Sequence, residues 1–291
     1  MDLKEIKTKY ERIKNYLLLI RLNKPIGIFL LLWPTLWALW LAAEGFPNNK
    51  IFIVFLFGVF LMRSAGCILN DIADKDFDKF VARTKNRPLA SNKLSSIEAF
   101  IFASCLIFAA FLLVLTTNTL TVQLSFIALI LAGIYPFLKR HTYLPQIFLG
   151  LAFGWSIPMA FAATIASIPK IAWLLLIVNI LWTVVYDTIY AMVDREDDLK
   201  IGIKSTAILF DDADRFIIGI IQALVIIALI VVGKQASLNL PYYLSIAFGC
   251  ILFIYQSYLI KDREPKKCMQ AFMNNNWFGL VIFIGLFINY L

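Results

Sequence analysis

Two acidic clusters are the residues of this chain best placed to do chemistry: Asn70-Asp71-Ile-Ala-Asp74-Lys-Asp-Phe-Asp78 and Asp187-Thr-Ile-Tyr190-Ala-Met-Val-Asp194-Arg-Glu-Asp-Asp198. Each follows a long apolar run. Carboxylates beside hydrocarbon are costly unless a cation compensates them, so the pair predicts one shared site for a hard divalent metal. On a helix turning about 100° per residue, Asp71, Asp74 and Asp78 fall within about 60° of one another with Asn70 beside them, while Asp76 points away. Asp187, Asp194 and Asp198 fall within about 40°, Tyr190 flanks them, and Glu196 faces away. Oxygen ligands of this kind suit Mg²⁺, which keeps several waters and shares phosphate oxygens with a substrate.

Basic residues near both clusters point to that phosphate. Arg83, Lys85 and Arg87 follow the first cluster, Lys200 and Lys204 the second. Tyr135 and Lys139, four residues apart on one helix face with Arg140 adjacent, are placed to grip a diphosphate. Each of these cations serves equally well, taken singly, as a topology determinant. Arg63 lies seven residues before Asn70 on nearly the same face, roughly 10 Å deeper by helix rise. An arginine inside a span marks a functional site, here one for a carboxylate; the alternative is a buried pair with one of the chain's own aspartates. Asn179 and Thr183 either line the opposite wall or bond between helices.

The elements that must position these residues are membrane helices. Of 291 residues 61% are hydrophobic and 16% charged, more apolar surface than a water-soluble domain can bury. The chain reads as an all-α polytopic membrane protein with nine transmembrane helices, at about 26–43, 51–69, 97–115, 119–138, 145–166, 171–193, 214–233, 241–260 and 275–291. The alternation of a barrel strand is absent. Residues 1–25 form an amphipathic segment on the membrane surface, with Leu3, Ile6, Tyr10, Ile13 and Leu17 at helical spacing among seven basic residues. Residues 26–291 form one transmembrane domain, with spans 1–4 and 5–8 as a parallel repeat and the ninth closing it.

Of the 27 lysines and arginines, all but Lys50, Arg63, Lys170 and Lys234 fall on the side that carries both clusters, which the positive-inside rule places in the cytoplasm. The net charge of +8 therefore describes a basic membrane face rather than a nucleic-acid binder. The four cysteines are scattered and make neither a disulfide framework nor a zinc pattern. Metal-carboxylate faces on a lipid-embedded bundle suit a substrate with a diphosphate head and a hydrocarbon tail, such as a prenyl diphosphate. The metal would stabilise the leaving diphosphate, and an electron-rich ring would capture the allylic cation in a cavity that excludes water.

The chain resembles the UbiA superfamily of intramembrane prenyltransferases, within it the bacterial 4-hydroxybenzoate branch. The resemblance rests on Lys24-Pro-Ile-Gly27, Leu32-Trp-Pro-Thr-Leu-Trp37, Arg63-Ser-Ala-Gly-Cys-Ile-Leu-Asn70-Asp71, Arg83-Thr-Lys-Asn-Arg-Pro-Leu89, Gly154-Trp-Ser-Ile-Pro-Met-Ala160, Tyr186-Asp187-Thr-Ile-Tyr-Ala-Met-Val-Asp194, Ile201-Gly-Ile-Lys-Ser-Thr206 and Ala271-Phe-Met-Asn-Asn-Asn276. It implies a nine-helix fold in the bacterial inner membrane, Mg²⁺ dependence, and transfer of a polyprenyl group from polyprenyl diphosphate to 4-hydroxybenzoate ortho to its hydroxyl, a step of ubiquinone biosynthesis. The implied metal ligands are Asn70, Asp71, Asp74, Asp78, Asp187, Asp194 and Asp198, with Asp71, Asp74, Asp187 and Asp194 central to catalysis. Tyr135, Lys139, Arg140, Lys204, Arg87 and Tyr190 would bind the diphosphate, and Arg63 the acceptor. Asp211, Asp212 and Asp214 match no functional motif, and nothing requires His141.

Other readings are a prenyltransferase of the same superfamily acting on homogentisate, naphthoate or haem, a CDP-alcohol phosphotransferase, and a transporter. The second lacks its Asp-Gly-x-x-Ala-Arg opening here, and the third expects acids at the midplane rather than at one face.

Overall fold

The computed structural model describes residues 3–138 and 140–291, without the side chains of residues 3–8. Among the described residues the regular secondary structure is all helical, joined by turns and loops, with no strand. The helices are α1 (Leu3–Leu19), α2 (Ile26–Ala43), α3 (Asn49–Asp78), α4 (Ser96–Val114), α5 (Thr119–Leu138), α6 (Pro145–Gly154), α7 (Ser156–Ile165), α8 (Lys170–Ile201), α9 (Thr206–Phe210), α10 (Asp214–Gln235), α11 (Leu240–Leu259) and α12 (Pro265–Asn289). Among the described residues nine helical stretches are long and apolar enough to cross a membrane, with α6–α7 and α9–α10 each counting as one. This is a multi-pass membrane protein.

Two helices outlast the bilayer. At 30 and 32 residues, α3 and α8 run roughly 45 and 48 Å, against a hydrocarbon core of about 30 Å. Expected to end near 69 and 193, they continue to Asp78 and Ile201, so the first cluster and the 194–198 end of the second ride on rigid helical turns past the expected spans, with Asp187 and Tyr190 about one to two turns deeper. Gly202, at φ +73°, supplies the left-handed residue that stops α8 and turns the chain back over the bundle. The loop after α3 ends at a capping box, where Ser95 accepts from the Glu98 N–H and Glu98 from the Ser95 N–H.

The ninth span begins at Pro265, not near 275. Asn274, Asn275 and Asn276 depress the hydropathy there, but they sit inside the helix because neighbouring helices satisfy them. Buried Asn275 accepts from Trp182 Nε1 at 2.9 Å and donates to the Ala271 carbonyl, while Asn276 accepts from Trp33 Nε1 at 2.9 Å. The fifth span breaks at Trp155 into α6 and α7, where Pro158 has no N–H for the carbonyl four residues back.

The bundle packs around α2 and α8, the most buried spans, whereas α4 and α5 turn most of their surface outward. Trp37, Trp182 and Phe278 form the centre of the aromatic core, with successive ring centroids 5.3 and 5.4 Å apart. A smaller cluster, Leu19, Ile68, Leu89, Leu94, Ala99 and Ala103, docks α1 on α3 and α4. Tyr16 stacks edge-on to Phe102, and Arg12 pairs with Glu98. The opposite side of α1 leaves Tyr10, Ile13 and Leu17 exposed.

Candidate active site

The ends of α3 and α8 open onto one cavity of about 1470 Å³. Its wall carries Asn70, Asp71, Asp74 and Asp78 from α3 and Asp187, Tyr190, Asp194 and Asp198 from α8. Helix periodicity sorts the acids: Asp71, Asp74 and Asp78 are buried, while Asp76 and Glu196 lie on the exposed side. Asn70 Nδ2 donates to Asp74 Oδ2 at 2.9 Å, one turn apart on the same face.

Arginines bind these carboxylates. Arg87 reaches Asp71 and Asp78 at 3.1 and 2.7 Å, and Arg21, just past the end of α1, reaches Asp71 at 2.7 Å. Arg83 clasps Asp194 with two nitrogens, Nε at 2.9 Å and Nη2 at 2.5 Å, and lies over the Tyr190 ring, 4.7 Å from its centroid. The Ala82 N–H donates to Asp197 at 3.3 Å, so the loop after α3 is fastened to α8 at two points. Burial opposes the Arg83 charge, yet Tyr190 and Asp194 hold its pKa above the ordinary value. Lys24, at the same mouth, is pushed below its ordinary pKa by burial and by Arg83, Arg21 and Arg87.

Arg63 lies deeper. Its guanidinium contacts Cys67 Sγ and stands 5.5 Å from the centroid of Phe153 on α6, and no carboxylate pairs with it among the described residues. The expected alternative, a pair with one of the chain's own aspartates, is therefore not formed among the described residues. Nε is buried without a hydrogen-bond partner, so the guanidinium retains donor capacity beside the cavity. A Cβ at Gly27 would overlap this guanidinium, so the glycine makes room for it.

Of the residues expected to bind diphosphate, Arg87, Tyr135, Tyr190 and Lys204 line the cavity. Lys204 also donates to the His141 carbonyl at 3.4 Å and lies 5.2 Å from the Tyr143 ring centroid. Lys139 lies outside the described residues. Arg140 does not line the cavity: it is exposed, donates to the Ala73 carbonyl and stacks over Phe77 at 4.9 Å. Arg140 lies past the end of α5 at Leu138, so the helical spacing from Tyr135 does not extend to it. Lys85 and Lys200 are exposed away from the cavity as well. Asn179 and Thr183 are packed between helices, not on the wall, with Asn179 Nδ2 donating to the Gly150 carbonyl at 2.9 Å and Thr183 to the Tyr186 hydroxyl at 3.1 Å.

Arg21 and Gln146 also line the cavity with no signal in the sequence, as do Lys24 and Ser205, which lie in segments that carry the family resemblance but to which it assigns no role. By sequence Arg21 and Lys24 belong to the basic N-terminal segment, and only the fold sets Arg21 beside Asp71. Below the charged mouth the wall becomes apolar, with Phe100, Ile107, Phe111, Phe126 and Leu129 contributed by α4 and α5.

A metal fits the chemistry of this donor set, which is six carboxylates and one amide on a single wall with no imidazole. Guanidinium groups already hold Asp71, Asp78 and Asp194, which shows that these carboxylates attract cations. No three acidic, cysteine or histidine side chains converge to metal distance among the described residues.

The chain matches the UbiA prenyltransferase family over residues 31–282. It is 56% identical to a 4-hydroxybenzoate octaprenyltransferase of Psychromonas ingrahamii over 97% of this chain and 98% of the relative, and 54% identical to one of Hahella chejuensis over 96% and 93%. Its fold is similar to that of a UbiA homolog from Aeropyrum pernix K1, with a TM-score of 0.80 at 24% identity over 91% of this chain and 98% of the other. A UbiA homolog from Archaeoglobus fulgidus bound to GPP and Mg²⁺ gives 0.71 at 16% identity, over 92% and 99%.

Proposed function

The chain belongs to the UbiA prenyltransferase family, and from that premise we propose that it transfers a polyprenyl group from polyprenyl diphosphate to the ring carbon of 4-hydroxybenzoate ortho to the hydroxyl, as a step of ubiquinone biosynthesis. One observation carries the reading. Two acidic helix faces and Arg63, which pairs with no carboxylate among the described residues, open onto the same cavity, whose wall below the charged mouth is largely apolar. Such a cavity accepts a charged head and a hydrocarbon tail together.

Asn70, Asp71, Asp74, Asp78, Asp187, Asp194 and Asp198 would hold Mg²⁺, which when bound supplies Lewis-acid stabilisation of the departing diphosphate. Arg87, Lys204, Tyr135 and Tyr190 orient the diphosphate oxygens. As the allylic C–O bond breaks, its electron pair leaves with diphosphate, and the positive charge left on the prenyl carbon is shielded from water by the apolar wall. Arg63, about two helical turns deeper, holds the acceptor carboxylate so that the ring faces that carbon. The new C–C bond forms at the ring and the displaced ring proton departs. The distribution of basic residues orients the site toward the cytoplasm of a bacterial inner membrane, with α1 resting its exposed Tyr10, Ile13 and Leu17 on the membrane surface.

Acceptor competition at a fixed donor tests this. Purified protein given Mg²⁺, a polyprenyl diphosphate and equal 4-hydroxybenzoate, homogentisate and dihydroxynaphthoate should prenylate the first. Preference for either of the others would redirect the assignment within the family.

A further inference from the structure

Gln146 is the second residue of α6, only 3% exposed, and part of the cavity wall. Its Oε1 accepts from the Thr206 backbone N–H at 3.2 Å. A backbone N–H can only donate, so this bond fixes which end of the amide is which. Nε2 is thereby turned the other way, and among the described residues it has no partner. Thr206 is itself anchored, its hydroxyl 2.6 Å from that of Thr188 on α8 and its neighbour Ser205 capping α9. The amide is thus held from behind by two elements and presents two N–H donors to the cavity.

Its depth identifies what it meets. The contact between Arg63 and Phe153 sets a common level for α3 and α6. From there Asn70 is seven residues up α3, and Gln146 is seven residues back along α6, about 10 Å in each case by helix rise. Gln146 therefore stands level with the start of the acidic cluster, beside Lys204, and two turns above the place assigned to the acceptor carboxylate.

We infer that the Gln146 side-chain amide is a substrate-binding residue that donates a hydrogen bond to an oxygen of the diphosphate group, from the wall opposite the α3 carboxylates. The inference rests on the prenyl diphosphate reading above. A fixed neutral donor adds to the anion's binding in any protonation state of the site, and it strengthens as charge accumulates on the leaving group.

The test uses the full chain in lipid vesicles, with inorganic diphosphate as inhibitor of Mg²⁺-dependent prenyl transfer. Gln146→Glu keeps an oxygen for the Thr206 N–H but replaces the donor by a negative oxygen. Gln146→Met removes the donor without adding charge. Both should weaken inhibition by diphosphate and raise the KM for the prenyl donor by about tenfold or more, the loss expected for one hydrogen bond to a charged group. The KM for the aromatic acceptor should stay within twofold. Gln146→Glu should melt with the parent, whereas Gln146→Met, which orphans the Thr206 N–H, should melt earlier. An unchanged diphosphate inhibition constant in either variant overturns the inference, as does a defect confined to the acceptor KM. A parent protein that shows neither prenyl transfer nor inhibition by diphosphate overturns the underlying functional reading instead.

Discussion

Arg63→Ala should separate the two substrates. The guanidinium contacts Cys67 and Phe153, packs against Gly27, and pairs with no carboxylate among the described residues, so truncation leaves no described acid without its cation. The fold should survive, with a melting midpoint close to the parent's. The loss falls on the acceptor. Removing one partner of a desolvated, hydrogen-bonded charge pair costs about 2–5 kcal/mol, and a side chain open to a cavity belongs at the low end, about 2–3 kcal/mol. At 1.4 kcal/mol per tenfold change, kcat/KM for 4-hydroxybenzoate falls about 30- to 150-fold while the KM for the prenyl donor holds. Steady-state kinetics with each substrate varied in turn, repeated with uncharged 4-hydroxybenzamide, provides the assay. The variant should lose most of the parent's preference for the acid over the amide. Gly27→Ala, whose Cβ would displace the same guanidinium, should show a milder defect of the same kind. Equal loss toward both substrates, or an undiminished preference for the acid, would refute the role assigned to Arg63.

Asp71→Asn and Asp194→Asn each remove a carboxylate from a different half of the clamp, and each should lower turnover by about 10²–10³ or more; near-parental initial rates from either would show that the halves do not act together. Chelating divalent metal should abolish turnover and Mg²⁺ should restore it, as followed by diphosphate release; undiminished activity in chelator would remove the metal from the account. Lys24 has a pKa below its ordinary 10.5, so the folded chain binds that proton less readily than the unfolded one and stability rises as pH climbs through the lowered value toward 10.5. Lys24→Met should accordingly melt above the parent near neutral pH and match it above pH 10.5, with identical melting at both pH values as the contrary result. Fully buried Asp214 takes both Arg263 and Arg195, tying the α10 start to α8 and to the loop before α12, so Asp214→Asn should cost about 2–4 kcal/mol and lower the melting midpoint by several degrees with both KM values unchanged.

What the sequence made legible follows from what is periodic in it. The faces of α3 and α8 could be drawn because 3.6 residues per turn put Asp71, Asp74 and Asp78 together and sent Asp76 outward, and the exposures agree. The spans were legible from hydropathy except where tertiary partners satisfy polar residues. Asn275 bonded to Trp182 is the reason the last helix reaches back to Pro265. Contacts between distant segments carry no local signal. Arg21 meets Asp71 across 50 residues of sequence and Arg83 meets Asp194 across 111, so these pairings emerge only with the fold. Arg140 lies outside the cavity because α5 ends at Leu138 and the chain turns, setting its guanidinium on the Ala73 carbonyl and the Phe77 ring. Gln146 is neutral and apolar-flanked, and only the Thr206 N–H behind it gives its amide a direction.

Two acidic faces and Arg63 on one cavity would bring a prenyl diphosphate and an aromatic acid together. Coupling of the products measures this most directly. Protein in lipid vesicles with Mg²⁺, a polyprenyl diphosphate and 4-hydroxybenzoate should release one diphosphate for each molecule of acid prenylated ortho to its hydroxyl, and neither product should appear when the acid is omitted. Diphosphate released without ring prenylation, or prenylation at oxygen or the carboxylate in place of the ring carbon, would contradict it.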